Sequence, residues 1–216
     1  MKKMYDLSQP HYNDMPCAPN IGTYEANLVK THSENGLQVT QFNFFSHTGT
    51  HLDAPKHMIP DGKTIEQIPL EWCRSTCYVV DAQVGPFGEI TIANIEAADI
   101  HPEPGDFIFF YTGFGDKFDD PDYVDAPSFS VELAQWLVDH KIRIVGIDAN
   151  TVDITYSLRK PGFNFPVHHV LLGNETLIIE HLSLKEVVGK KLEVTCFPIN
   201  MVHSDGAPVR VVGTEL

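Results

Sequence analysis

A chain of 216 residues, 43% hydrophobic and 20% charged, is long enough to bury its own core without disulfide or metal staples. It is expected to form one domain over residues 1–216. Acidic residues outnumber basic ones 29 to 15, for a net charge of −14. That balance repels phosphate backbones and anionic membranes, so nucleic acid and membrane are excluded as partners. No apolar run approaches the roughly 18 residues of a membrane span. The first sixteen residues, MKKMYDLSQPHYNDMP, carry lysines with no apolar segment behind them, so no secretory leader is expected and a cytoplasmic location is.

In chain order, Gln38–Phe45 (QVTQFNFF) is rich in β-formers and predicts a strand. Cysteines stand at 17, 73, 77 and 196 without a CxxC pair; Cys73 and Cys77 have the spacing of one helix face. Free, mostly buried thiols are expected. Tyr78–Asp81 and Phe107–Thr112 predict buried strands, with a short helix near Ile92–Ala98. Gly113–Pro127 holds five aspartates without EF-hand spacing and is expected to be a solvated surface loop; a lid hinged on its glycines is the alternative. Ser130–His140 predicts a helix with Ser130 as N-cap and Ala134, Leu137, Val138 and Lys141 at helical spacing. Ile142–Asp148, Leu177–Leu182 and Leu192–Phe197 complete the strands. Asp148 and Asp153 follow one of these strands, as pocket residues or as caps. No GxGxxG follows a strand and there is no P-loop. Regular βαβ alternation is weak, so the expected class is a mixed, sheet-dominated α/β fold and not a doubly wound one.

The stretch Ser46–Gly62 (SHTGTHLDAPKHMIPDG) concentrates chemistry: His47, His51, Asp53 and His57 fall within eleven residues. Gly49, Thr50 and Pro55 oppose a helix here. In an extended chain His51 and Asp53 point the same way, and a tight turn at Gly49 brings His47 round to them. Imidazole and carboxylate donors suit Zn²⁺, Mn²⁺ or Fe²⁺. His57 is a further ligand or a titratable group beside the metal. More ligands are needed, and His168, His169 and Glu180 are available. Glu180 alternates onto a face with Ile178 and Leu182, where a carboxylate is costly unless paired or metal-bound; exposure at a sheet edge is the equal alternative. His168 and His169 would face opposite ways in an extended chain, so one of them is expected to bind.

The string His47–His57 (HTGTHLDAPKH) resembles the HxGTHxDxPxH signature of the cyclase family, which includes the bacterial kynurenine formamidases. His168–Glu180 (HHVLLGNETLIIE) resembles the family's second motif, and Asp205–Arg210 (DGAPVR) its closing DGxPxR element. The likeness runs over nearly the whole chain. It implies a mixed α/β domain with curved β-sheets and flanking helices, assembled as a homodimer or homotetramer. It implies a metal site of His47, His51 and Asp53 completed by His168 and Glu180, holding one or two Zn²⁺ ions, with Mn²⁺ as the alternative. Asp53 and Glu180 would bridge a pair of ions, and His57 matches the acid/base residue.

The activity implied is that of an arylformamidase on a small molecule, N-formylkynurenine giving kynurenine and formate. Alternatives are hydrolysis of another cyclic amide or lactone, as in isatin hydrolases, a related lyase or cyclase, and an inactive metal-binding relative. An iron oxygenase built on His51, Asp53 and His168 would lack an arginine soon after His168 and leave His47 and His57 unused. The chain departs from the formamidases at Pro16–Asn20, where Ala18 replaces a ring-binding aromatic and Asn20 a glycine; Tyr24, Phe44 or Phe114 are candidates to supply the ring.

Overall fold

The run FIFFY at residues 107–111 offers water no polar side, so it must be covered on both faces. In the computed structural model, which describes residues 2–17 and 22–216, it lies at the middle of a nine-stranded sheet, with all five residues buried. The strands are β1 (Met4–Asp6), β2 (Glu25–Lys30), β3 (Val39–Asn43), β4 (His51–Asp53), β5 (Arg74–Asp81), β6 (Glu89–Ile90), β7 (Phe107–Tyr111), β8 (Ser128–Phe129), β9 (Ile144–Ile147), β10 (Leu177–Glu180), β11 (Lys191–Thr195), β12 (Gly206–Pro208) and β13 (Val212–Glu215). The helices are α1 (His32–Asn35), α2 (Ile92–Ala98), α3 (Val131–Asp139) and α4 (Pro166–Gly173).

The large sheet runs β1-β13-β11-β5-β7-β9-β10-β4-β12. Its four central strands, β5, β7, β9 and β10, are parallel, in register through Cys77↔Phe107, Phe107↔Ile144 and Ile144↔Leu177. The helices α2, α3 and α4 lie between them in the chain, so a βαβ alternation is present after all. Its signal in the sequence is masked by the β6–β8 pair and the aspartate-rich loop interposed between β5 and α3. All three helices pack on one face, through Ile95, through Leu133, Ala134 and Leu137, and through Val167, Leu171 and Leu172, against Val80, Ile108, Phe110, Val145, Ile147 and Ile178. The fold is thus not doubly wound.

The opposite face curls on itself around Phe107, Phe109, Ile144, Ile179, Leu52, Leu192 and Val194. After β1 the chain crosses to the far strands: Leu7 N–H donates to the Val211 carbonyl, and Ser183 N–H donates to the Leu7 carbonyl. This rolls the sheet partly closed. The hairpin β2–β3 forms a separate two-stranded sheet that leaves Leu28, Val29 and Phe42 exposed.

Several expectations need correction. Cys73 and Cys77 do not share a helix: Cys73 ends a 3-10 turn and Cys77 lies in β5, which begins at Arg74, earlier than predicted. All four cysteines are free thiols, and three of them are buried. His168 and His169 are helical, because Pro166 opens α4 at its first turn, where a missing N–H costs nothing. Leu182 does not share the face of Ile178 and Glu180. His181 adopts φ 59°, and this left-handed residue breaks the strand alternation and sends Leu182 into the opposite core. The aspartate-rich loop is a surface segment pinned from below by buried Phe114, Phe118 and Tyr123, with Asp119, Asp120 and Asp122 outward. Among the described residues, no helix is long and apolar enough to cross a membrane.

Candidate metal centre

Strand register assembles the site. β4 pairs antiparallel with β10, placing His51 opposite Glu180 and Asp53 opposite Ile178, while Leu52 between them turns into the curled core. His51, Asp53 and Glu180 therefore share the helix-covered face, all buried. On the other side of β4, β12 sets Gly206 opposite Asp53. A Cβ at Gly206 would stand 2.7 Å from His47 Cε1, so this glycine makes room for the ring. Gly49 has φ +58°, and the turn it permits returns His47 to the strand end. His47 Nδ1 then lies 2.7 Å from Asp53 Oδ1.

The imidazoles are held by their outer nitrogens. His51 Nδ1 is 2.8 Å from the Gly49 carbonyl. A carbonyl only accepts, so Nδ1 carries the proton and the lone pair sits on Nε2. That atom lies 3.2 Å from Asp53 Oδ1 and 3.6 Å from Glu180 Oε2. His168 donates from Nδ1 to Asp153 Oδ2 at 2.6 Å, which turns Nε2 toward Glu180 Oε1 at 3.4 Å and Asp53 Oδ2 at 3.8 Å. Asp153 also accepts from the backbone N–H groups of Val167 and His168, each at 3.1 Å. It thus caps α4 and orients its histidine at once: the capping reading of Asp153 holds, and it stands behind His168 without lining the cavity. Asp148 is purely structural: its carboxylate accepts from Thr112, Gly113 and Gly115, and burial raises its pKa to about 6.

Asp205 belongs to the closing sequence motif, but nothing in the motif gave it a role. Its Oδ2 lies 2.9 Å from His47 Nε2 and 3.2 Å from His57 Nδ1. His57 sits on the 3-10 turn Pro55–His57 just past β4, its ring 3.9 Å from that of His47. Burial alone would depress the His47 pKa, but Asp53 and Asp205 outweigh it and push it up to about 10. The same contest at His168 ends at about 10, through Asp153, Glu180 and Asp53. Asp53, despite burial, is held well below ordinary carboxylate values by His47 and His51; hydrogen bonds from His47 and His57 do the same to Asp205. His181 next to the site goes the other way, lowered by burial and by His51, with Nδ1 2.7 Å from the Tyr123 hydroxyl.

Overlapping groups of side chains offer atoms close enough to hold an ion: His47, His51 and Asp53; Asp53, His57 and His168; His51, Glu180 and His181; and His47, His57 and Asp205. The donor set fits a divalent cation on a direct observation. His51 Nε2 and Asp53 Oδ2 are buried without a hydrogen-bond partner among the described residues, a costly arrangement that coordination would relieve. The five residues expected to bind metal and His57 are brought together. His169 is not among these groups.

The centre opens into a cavity of about 60 Å³ lined by His47, His51, His57, His168, Glu180 and His181, together with Tyr156, Arg159 and Phe165. Its rings are therefore Tyr156 and Phe165. Tyr24 and Phe44 stack on each other and Phe114 is in the core, none of them lining this cavity. Ala18 and Asn20 lie outside the described residues.

Comparison with known proteins bears on the family and the fold. Kynurenine formamidase from Bacillus anthracis is 27% identical over 218 residues, covering 97% of this chain and 96% of that protein. Kynurenine formamidase from Geobacillus thermodenitrificans is 29% identical with the same coverage. The structure of a predicted metal-dependent hydrolase from Bacillus stearothermophilus superposes with a TM-score of 0.81 at 29% identity over 100% of both chains. An isatin hydrolase bound to the product analogue thioisatinate shares the fold, with a TM-score of 0.89 at 18% identity, covering 98% of this chain and 92% of that one. The family model described as putative cyclase matches residues 5–154, more than half the chain and the whole first histidine motif. The chain belongs to the cyclase family.

Proposed function

We propose that this cyclase-family enzyme is a metal-dependent amidohydrolase acting on a small aryl formamide, with N-formylkynurenine, cleaved to kynurenine and formate, as the first candidate. The observation that carries the reading is a pair of buried atoms without a hydrogen-bond partner among the described residues, His51 Nε2 and Asp53 Oδ2, set among the imidazoles of His47, His51 and His168. His47, His51, Asp53, His168 and Glu180 would hold the metal, with zinc as one or two ions the first expectation and manganese the second. Bound there, the ion supplies Lewis acidity toward a carbonyl oxygen and acidifies water to a pKa of roughly 7.

The chain's own residues supply proton transfer and orientation. Asp205 engages Nδ1 of His57, which fixes that ring and leaves Nε2 to carry the moving proton. His57 takes a proton from the attacking water and delivers it to the aryl nitrogen as the C–N bond breaks. The Asp205 carboxylate stabilises the imidazolium in between. Asp153, through His168, and the Gly49 carbonyl, through His51, keep both imidazoles in the tautomer that presents Nε2 inward. A cytoplasmic homodimer or homotetramer is the form expected to do this.

The test is N-formyl-L-kynurenine hydrolysis by protein stripped with chelator and reloaded with zinc or manganese. Turnover restored by one ion is expected and identifies it. Metal binding without turnover by any ion would remove the arylformamidase reading and leave another cyclic amide or lactone as substrate.

A further inference from the structure

The lining of the cavity contains, besides the histidines, a cation that nothing in the reaction above uses. Arg159 follows a 3-10 turn, Tyr156–Leu158, and its guanidinium is immobilised on three sides. Its carbon lies 3.9 Å from the Tyr156 ring centre, 4.7 Å from Phe165 and 5.2 Å from Phe163. Nε donates to the Ile154 carbonyl at 2.8 Å and Nη2 to Thr151 Oγ1 at 3.3 Å. Nη1 is buried with no hydrogen-bond partner among the described residues, and Asn150 Oδ1, on the same cavity, is in the same condition. A guanidinium costs free energy when its N–H groups are buried unpaired, and its planar fork matches a carboxylate.

We propose that Arg159 is a recognition site for the carboxylate of the ligand, so that the cavity takes small amides that carry a carboxylate at the end remote from the scissile bond. A monoanion fits better than a phosphate, because Glu180 already places negative charge on the same cavity. Asn150 Oδ1 is placed to accept an N–H from the same ligand. Which end of the ligand reacts rests on the amidohydrolase reading; the anion site itself does not.

The experiment measures binding of anthranilate and of its neutral isostere anthranilamide by titration calorimetry, on chelator-treated and zinc-reloaded protein. Wild type is expected to prefer anthranilate. Arg159→Met is expected to weaken anthranilate roughly 10- to 100-fold and leave anthranilamide within about twofold. Arg159→Lys keeps the charge without the fork, is expected to fall between, and decides the matter if the Met variant does not melt cooperatively. Unchanged anthranilate binding in the variants, equal loss of both probes, or inorganic phosphate displacing anthranilate better than benzoate does would each overturn the proposal. Arg159-dependent anthranilate binding in a protein that fails to cleave the formamide would retain the carboxylate site and discard the arylformamidase reading. Formamide turnover with no Arg159-dependent binding would do the reverse.

Discussion

The two walls of the cavity are built on different principles. One wall comes from β4, β10, the turn after β4 and the first turn of α4, and every inward atom on it is set by strand register or by a second group behind it. His51 is backed by Gly49, His168 by Asp153, and His47 and His57 by Asp205. The other wall, from Asn150 to Phe165, is built on a 3-10 turn and aromatic packing around one arginine. Regular structure places groups within tenths of an ångström, as proton transfer and metal coordination require. Irregular chain is free to vary, as substrate choice requires. The comparison teaches that mutations on the first wall should change rate or metal content, and those on the second the preference among ligands.

The largest effect is expected within the first wall. Asp53 is buried between His47 and His51, so Asp53→Ala removes a ligand and leaves two imidazoles without their anion. Metal content by elemental analysis should fall below stoichiometric, with activity down at least about 10³-fold, since the ion's charge stabilisation is worth several kcal/mol. His57→Ala should separate the two roles of that wall: full metal content with kcat lower by about 10²–10⁴-fold. Loss of metal in His57→Ala would make this residue a ligand; near-wild-type turnover would remove it from the chemistry.

This division also explains what could be read in advance. His47, His51 and Asp53 sit in one segment whose glycine and proline exclude a helix, so alternation alone puts His51 and Asp53 on one face, and the β4 register bears this out. Glu180 was legible as a carboxylate on an apolar face, though its burial was not, because burial depends on which strand becomes its neighbour. His168 was legible as a candidate but in the wrong local structure: α4 is eight residues long, too short for periodicity to outweigh the β-branched and apolar character of its sequence. Asp205 was legible only as the first residue of the closing motif, without a role, and Arg159 had no local signal. Asp205 reaches His47 from 158 positions away through the β4–β12 pairing, and Arg159 matters through the atom it leaves unpaired. The strands that close the sheet, β1, β12 and β13, are only three or four residues long and carry little periodicity. Their existence is a tertiary fact.

A smaller effect should come from behind the first wall, at Asp153. Its carboxylate accepts three hydrogen bonds, two from backbone N–H groups and one from His168 Nδ1. In Asp153→Asn one of the two oxygens becomes an NH₂ that must face a donor. If it faces His168, the ring loses its anchor; if it faces Val167, the α4 cap is lost. Metal affinity, measured by competition with a chelator, is expected to drop about 10–100-fold, and the fold to lose about 1 kcal/mol. An affinity equal to wild type would show that α4 packing alone orients His168.

The smallest effect concerns the metal-free protein, where the first wall is an array of ion pairs. His47 and His168 have folded pKa values of about 10 against 6.5 in the unfolded chain. A base whose pKa is raised on folding contributes stability that is complete below 6.5 and disappears as pH climbs through 10. Asp53 and Asp205, lowered from 3.8, contribute stability present above that value and lost as pH falls below it. These are the two sides of the same pairs, so chelator-treated protein should melt highest between about pH 4 and 6.5 and lose on the order of 5 °C by pH 10. Metal-loaded protein should not follow. Ligation requires neutral imidazoles, and above pH 6.5 the unfolded chain's histidines are neutral too, so the melting temperature of the loaded form should rise only up to about pH 6.5 and stay level from there to pH 10. A falling curve for the metal-free form and a level one for the loaded form between pH 6.5 and 10, measured on one preparation, would place the titrating histidines at the metal. Parallel slopes would place the titration elsewhere.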